Sequence, residues 1–273
     1  MRRNVKNGVV YYTFENLEAA GMVRHAFSTR IGGVSTGHFA AMNLGLHTSD
    51  DVAAVQENYR RFCDAVGFDV NSIVVSDQYH TTNIVNIEQA PGNTDFFDAR
   101  PFSHVDGFIT NKPRVVLMTY FADCVSLLFC DPAKAVVANA HAGWRGTLSN
   151  MAGIMVDKMK GDYGCDPKDI LVGIGPSISR KNFEVGPEVA EEFEKLLPFS
   201  RQFVYNSESA VDKYHIDLWE VNRQNLVNHG VLPDNIEIAG LCTHNDEAQF
   251  YSHRRSGKDR GSLAAFIELR RAN

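Results

Sequence analysis

Residues able to do chemistry gather in two neighbouring stretches. One is Ala122-Asp123-Cys124, which heads an apolar run ending at Phe129. The other is Ala140-His141-Ala142-Gly143-Trp144-Arg145-Gly146, which closes the next apolar run. Two strands joined by a tight turn at Asp131-Pro132 would return Cys124 and His141 to the same end of a sheet. A thiolate and an imidazole placed together suit a soft-metal site or a Cys-His nucleophile. His80, in the polar loop Asp77-Gln78-Tyr79-His80, is the third candidate. Two histidines and one cysteine leave a fourth zinc position open for water or substrate. That donor set favours zinc, or copper(I), over magnesium.

Cys63, Cys130 and Cys165 read as inert buried thiols, the usual fate of a free cysteine in an apolar setting. Arg145 follows a glycine at a strand-to-helix junction, where free backbone N–H groups and a fixed positive charge can hold an anion. Arg30 lies in the glycine-rich loop Ser28-Thr29-Arg30-Ile31-Gly32-Gly33-Val34-Ser35. That loop lacks the lysine of a P-loop, so a nucleoside triphosphate is not indicated. The segments Asn43-Leu44-Gly45-Leu46-His47 and Ser252-His253-Arg254-Arg255 read equally well as plain turns.

These residues need elements to hold them. Val9 to Phe14 and Met22 to Ser28 are rich in β-branched and aromatic residues and are expected as strands. Asp50-Asp51 starts a helix whose apolar positions Val55, Tyr59, Phe62, Cys63 and Val66 follow helical spacing, and Gly67 ends it. Short strands are expected over Ser72 to Ser76 and Ile84 to Ile87. Gly107 to Thr110, Val115 to Phe121, Val125 to Cys130 and Ala135 to His141 continue the series. The last three are nearly continuously apolar, as strands covered on both faces are. One helix is expected over Thr147 to Lys160, with a methionine stripe that reads as core packing. A strand over Ile170 to Ile174 follows, then helices over Glu188 to Leu196 and Leu218 to Asn228, then strands over Ile236 to Ala239 and Leu263 to Leu269. Strands and helices mix without a strict βαβ rhythm. The expected fold class is mixed α/β (α+β), with layered sheets and flanking helices. Without a linker or repeat, residues 1–273 read as one domain.

Composition narrows the function. The chain has 273 residues, 44% of them apolar, enough to bury a substantial core. Its net charge of -6, with no basic block, argues against nucleic acid as a partner. Five irregularly spaced cysteines without a C-x-x-C pair argue against a disulfide scaffold and for a reducing compartment. No apolar run approaches the ~20 residues of a membrane span, and no signal-peptide core follows the first residues. The expectation is a soluble cytoplasmic protein with no membrane partner.

Taken together, the motifs resemble the YfiH-like family, also called laccase-domain or polyphenol-oxidase-like proteins. The likeness covers almost the whole chain. It is carried by Phe27-Ser28-Thr29-Arg30, Gly32-Gly33-Val34-Ser35, Asn43-Leu44-Gly45, Gln78 with His80, Ala122-Asp123-Cys124 and Ala140 to Gly146. Gly175-Pro176 and Ser252-His253-Arg254-Arg255 also fit. The resemblance implies a layered fold similar to that of cysteine-hydrolase-type toxin deamidases, and one zinc held by His80, Cys124 and His141. It implies a purine nucleoside phosphorylase that splits adenosine, inosine, guanosine or methylthioadenosine with phosphate, with adenosine deamination at the same site. In that scheme Arg30 and Arg145 hold phosphate or ribose, Asn43 hydrogen-bonds substrate, and Asp123 orients a metal ligand. The chain departs from the family pattern at Tyr79 and Thr81, where Val and Gly are usual, and at Ser126, where Pro is common. These departures are expected to alter the pocket wall.

Two other chemistries compete. A metal-free cysteine hydrolase or deamidase would use Cys124 as nucleophile and His141 as base. Copper-dependent phenol oxidation is suggested by the family's older name. However, multicopper oxidases resemble one another in using His-x-His pairs, and none occurs among the ten histidines.

Overall fold

The computed structural model describes residues 1–46, 48–93, 97, 102–208 and 210–270. His47, the last residue of the Asn43 turn, lies outside them. Among the described residues two six-stranded sheets stack face to face. With strands numbered along the chain, the first sheet runs β1 (Arg2–Lys6), β2 (Val9–Thr13), β3 (Val23–Ser28), β17 (Leu263–Leu269), β9 (Val116–Phe121) and β4 (Ile73–Val74). The second runs β16 (Ile236–Ile238), β12 (Leu171–Ile174), β10 (Val125–Asp131), β11 (Val136–Ala142), β8 (Gly107–Thr110) and β6 (Ile84–Asn86). A ribbon pairs β5 (Ser76–Asp77) with β7 (Phe102–Ser103). A small sheet orders β13 (Glu184–Val185), β15 (Tyr214–Ile216) and β14 (Val204–Asn206).

The two-residue period of the strands distributes their apolar side chains over three cores. Leu117, Phe121, Ala265 and Ile267 of the first sheet meet Phe108, Leu128, Cys130 and Val137 of the second in the layer between them. Alternate residues Val116, Met118, Ala264 and Phe266 point outward under α2 (Val52–Val66), which contributes Tyr59 and Phe62. Val125, Leu127, Phe129, Ala138 and Ala140 point outward from the second sheet. They are covered by α4 (Met151–Tyr163), α5 (Pro187–Leu196) and α6 (Leu218–Asn228) through Met151, Met155, Met159, Phe193 and Leu226. The result is an α/β/β/α stack, and each fully buried Leu, Phe or Met contributes about 1.5–3 kcal/mol. The continuous apolar runs of β9, β10 and β11 follow from this double cover.

Polar residues fix the stack's ends and register. Asp51 accepts from Ala53 N–H at the start of α2, and Gly67 ends the helix at φ 95°. The short α1 (Glu15–Ala19) is tied to β12 by Asn16, whose amide donates to Val172 O at 3.0 Å. Between the sheets, fully buried Asn139 of β11 donates to Leu117 O of β9 at 3.0 Å and to Ala265 O of β17 at 2.8 Å. The Thr119 hydroxyl donates back to it.

The helix expected over Thr147 to Lys160 is in fact two. α3 (Trp144–Leu148) ends at Ser149. Asn150 then takes a left-handed conformation, φ 60°, and its side chain accepts from Gly153 N–H to start α4. Asn is among the few residues that adopt this conformation readily, and it is also a good cap. β10 and β11 pair antiparallel across the Asp131-Pro132 turn, with Ser126 opposite His141 and Val125 opposite Ala142.

Candidate active site

The β10–β11 register does what the sequence spacing suggested. Cys124 stands one residue before β10, and His141 is the penultimate residue of β11, so both reach the same sheet end. On β11, Val137, Asn139 and His141 share the face toward the other sheet, and the His141 ring lies 5.6 Å from that of Phe121. His80 arrives from the loop after β5. Its ring centre is 4.8 Å from that of His141. One ligand atom from each of His80, Cys124 and His141 falls within 4.8 Å of the others.

What holds this triad is Asp106, the residue just before β8. It is fully buried. One oxygen bonds His141 Nδ1 at 2.8 Å and accepts from His80 N–H at 3.1 Å. The other accepts from Tyr79 N–H, from Thr81 N–H and from the Thr81 hydroxyl. A single carboxylate therefore orients one imidazole and fixes the backbone carrying the other. The clamp explains how His80 keeps a left-handed φ of 59°. Burial alone would raise the Asp106 carboxyl, but the bonds from His141 and Thr81 hold it below the usual carboxylate range. Sequence reasoning missed Asp106. The available signal was an acid at the head of an apolar strand, which is costly unless paired.

The two imidazoles are tuned in opposite directions. Burial and the neighbouring His141 push His80 down to about 4, so it is neutral and free to donate a lone pair. For His141, burial opposes the charged form, but the Cys124 sulfur and Asp106 carboxylate raise it to about 9. With Nδ1 on Asp106, the His141 hydrogen bond to Cys124 uses Nε2. A carboxylate behind a histidine that faces the ligand position is the usual support of a metal-binding imidazole. The donor set and its support fit zinc.

Glycine is required beside the triad. A Cβ on Gly143 would lie 2.6 Å from His80 Nδ1 and 3.0 Å from Cys124 Sγ, closer than atoms pack. The approach to Cys124 is set by Asp123, at φ 81°. One Asp123 oxygen accepts from the Thr243 hydroxyl at 2.6 Å. The other accepts from the Ser252 hydroxyl and from Arg254 N–H at the start of α7 (His253–Ser256).

Two cavities meet at His80, Ala122 and Cys124. A cavity of about 450 Å³ is lined by Trp144, Arg145, Phe183, Val185, Glu188 and Arg254 among others. A smaller one of about 170 Å³ is lined by Gln78, Tyr120, His141, Arg260 and Ser262 among others.

A fold with this triad at the junction of two cavities can be set beside known proteins. Residues 24–270 match the family model described as "Multi-copper polyphenol oxidoreductase laccase". The chain belongs to this laccase-domain family. It is 36% identical over 249 residues to the Bacillus subtilis (strain 168) protein named purine nucleoside phosphorylase YlmD, covering 90% of this chain and 88% of that one. It is 35% identical over 243 residues to the Escherichia coli (strain K12) protein named purine nucleoside phosphorylase YfiH, covering 89% and 92%. The crystal structure of Bacillus licheniformis hypothetical protein YfiH superposes with a TM-score of 0.87 at 31% identity, over 97% of each chain. The mixed α/β layered architecture is thus that of the YfiH proteins.

The other expected site residues scatter. Arg145 lies over the Trp144 ring at 4.1 Å, on the wall of the larger cavity. Asp123 also borders that cavity, with both oxygens already bonded. Arg30 does not line either cavity: its Nε donates to Ala40 O at 2.7 Å, its Nη1 to Glu247 O, and it stacks on Tyr251. Asn43 is fully buried; its amide donates to Thr48 and Asp50, and its oxygen accepts from Gly45 and Ser262 N–H. A side chain so enclosed shapes the loop. The three departures from the family pattern also sort differently than expected. Ser126 is fully buried against Gly175, away from the cavity walls. Tyr79 stacks on His104 at 3.9 Å, and Thr81 strengthens the Asp106 clamp. Besides Asp106, sequence reasoning passed over Arg260, and it left the site and plain-turn readings of Ser252-His253-Arg254-Arg255 equally open, where the structure puts His253 and Arg254 on the larger cavity.

Proposed function

We propose that this protein is a zinc-dependent purine nucleoside phosphorylase acting in the cytoplasm, with His80, Cys124 and His141 as metal ligands. It takes adenosine, inosine, guanosine or 5'-methylthioadenosine with phosphate, and deaminates adenosine at the same site. The observation that carries the reading is the His80–Cys124–His141 cluster braced by Asp106 at the junction of two cavities. The names of the relatives supply the reaction class. Zinc, when bound, supplies Lewis-acid charge that can polarise a substrate oxygen or make water nucleophilic near neutral pH. The chain's own residues do the rest. Asp106 keeps a proton on His141 Nδ1, leaving Nε2 for the metal. Trp144, Phe183 and Val185 give the larger cavity flat and apolar walls suited to a purine. Arg145 adds positive charge at its rim. Among the described residues no helix is long and apolar enough to cross a membrane, in keeping with small soluble substrates.

The test is direct. The four nucleosides are incubated with and without phosphate, and products are followed by mass spectrometry. Free base and ribose 1-phosphate appearing only with phosphate is the expected result, with inosine from adenosine marking deamination. Cys124→Ala is expected to abolish both bound zinc and turnover. Full activity in a metal-free Cys124→Ala protein would overturn the scheme.

One observation favours a second reading. Asp106, His141 and Cys124 are aligned as acid, base and nucleophile in a cysteine hydrolase. Iodoacetamide separates the two: a metal-held sulfur resists alkylation until a chelator is added, whereas a free nucleophile reacts at once.

A further inference from the structure

We propose that Arg260 is the oxyanion-binding residue of this site, receiving phosphate in the smaller cavity while the nucleoside occupies the larger one. This rests on the phosphorylase reading above and assigns its two substrates to opposite sides of the triad.

Among the described residues no carboxylate forms an ion pair with Arg260. Its Nη1 donates to Gly261 O at 2.9 Å and to the Ser262 hydroxyl at 3.2 Å. Its Nε is buried and has no hydrogen-bond partner, and Nη2 bonds to no described residue. Asp123 is near enough to interact electrostatically, but both of its oxygens are taken by Thr243, Ser252 and Arg254. A buried N–H on a charged group is costly when left unpaired, so such a group marks a place for an acceptor. Nε and Nη2 form one edge of the guanidinium fork, the edge that binds two oxygens of a phosphate side by side.

The surroundings agree. The smaller cavity is lined by Gly45, Leu46, Gln78, Tyr120 and Ser262 besides the triad, with no acid among its described lining residues. The larger cavity mixes the acids Asp123, Glu184 and Glu188 with the cations Arg145 and Arg254, and it carries the apolar surfaces that suit a base. Arg260 is also held in place. Ser262 N–H donates to Asn43 Oδ1 at 2.9 Å, and Leu44 N–H donates to Ser262 O at 3.1 Å. Asn43 thus acts as a positioning residue: it locks the loop that carries the arginine.

The experiment uses the zinc-loaded protein and inorganic phosphate. Binding is measured by calorimetry in the wild type, Arg260→Gln and Arg260→Lys, with circular dichroism and zinc content as checks on folding. Phosphate affinity is expected to fall by about tenfold or more in Arg260→Gln and to recover only partly in Arg260→Lys, which keeps the charge but loses the fork. In steady-state phosphorolysis KM for phosphate should rise by a similar factor, while KM for the nucleoside changes by less than about twofold. A second measurement needs no variant: tungstate soaked into wild-type crystals should appear by anomalous scattering beside Arg260 Nε. Unchanged phosphate affinity in Arg260→Gln, no phosphate binding by the wild type, or tungstate lodged elsewhere overturns the assignment. Phosphate bound through Arg260 with no nucleoside cleaved would sustain the oxyanion site and refute the phosphorylase reading instead.

Discussion

At the residue scale, the decisive group is a carboxylate that ligates nothing. Asp106 accepts from three consecutive backbone N–H groups, the Thr81 hydroxyl and His141. Asp106→Asn would turn an NH₂ toward donors that need an acceptor. Metal affinity is expected to fall by about 10–100-fold, as when such support is removed elsewhere, measured by competition with a chromophoric chelator. Stability should fall by about 1–3 kcal/mol in urea. A second titratable group acts through folding alone. His25 is buried and accepts from Phe14 N–H at 2.7 Å; burial, with Arg270 adding to it, pushes it down to about 3. The unfolded chain therefore binds a proton below about 6.5 that the folded chain refuses. The stabilisation is complete above that pH and is lost as pH falls toward 3. His25→Gln, which can still accept from Phe14, should flatten the pH dependence of the urea midpoint between pH 7 and 4 by about one proton. An unchanged slope would show that His25 does not control acid stability.

At the element scale, the strand-to-helix junction after β11 does two jobs. Gly143 lets the chain pass against His80 and Cys124, and α3 then carries Trp144 and Arg145 to the larger cavity. Gly143→Ala places a methyl 2.6 Å from His80 Nδ1. Zinc content and activity should both drop by about tenfold or more, with melting temperature nearly unchanged because the clash is met by the triad and not by the core. Retention of full zinc occupancy would show that the loop can yield. The helix after this junction was readable as apolar periodicity, but its division was not. The break rests on Asn150, whose left-handed backbone is set by the docking of α3 on α6, where Asn222 and Asn225 donate to Thr147.

At the scale of the whole molecule, the site lies at one end of the layer between the sheets, so their mutual register sets its geometry. Asn139 fixes that register, bonding strands of the first sheet from the middle of the second. Asn139→Leu preserves volume but removes three hydrogen bonds from an apolar layer. A loss on the order of 3 kcal/mol is expected, about 1 kcal/mol for each bond lost, measured by chemical denaturation. A loss below about 0.5 kcal/mol would show that the apolar contacts alone hold the sheets in register. Apolar packing there is extensive but not directional, which is why one buried amide matters.

The sequence by itself determined the elements and the ligand-type residues. The continuous apolar run over Val125 to Cys130 marked β10, and the helical spacing of Val55, Tyr59, Phe62 and Cys63 marked α2, because a local pattern of burial is written locally. The turn at Asp131-Pro132 placed Cys124 and His141 at one sheet end, because antiparallel register follows from turn length. Only the tertiary structure brought Asp106 beneath two histidines from distant segments, and only it separated Arg260, whose buried Nε has no hydrogen-bond partner, from Arg30, whose donors are spent on Ala40 and Glu247. An arginine or an aspartate has the same letter whether its bonds are filled by its own chain or left for a ligand. Which of the two holds is decided by packing between segments far apart in sequence.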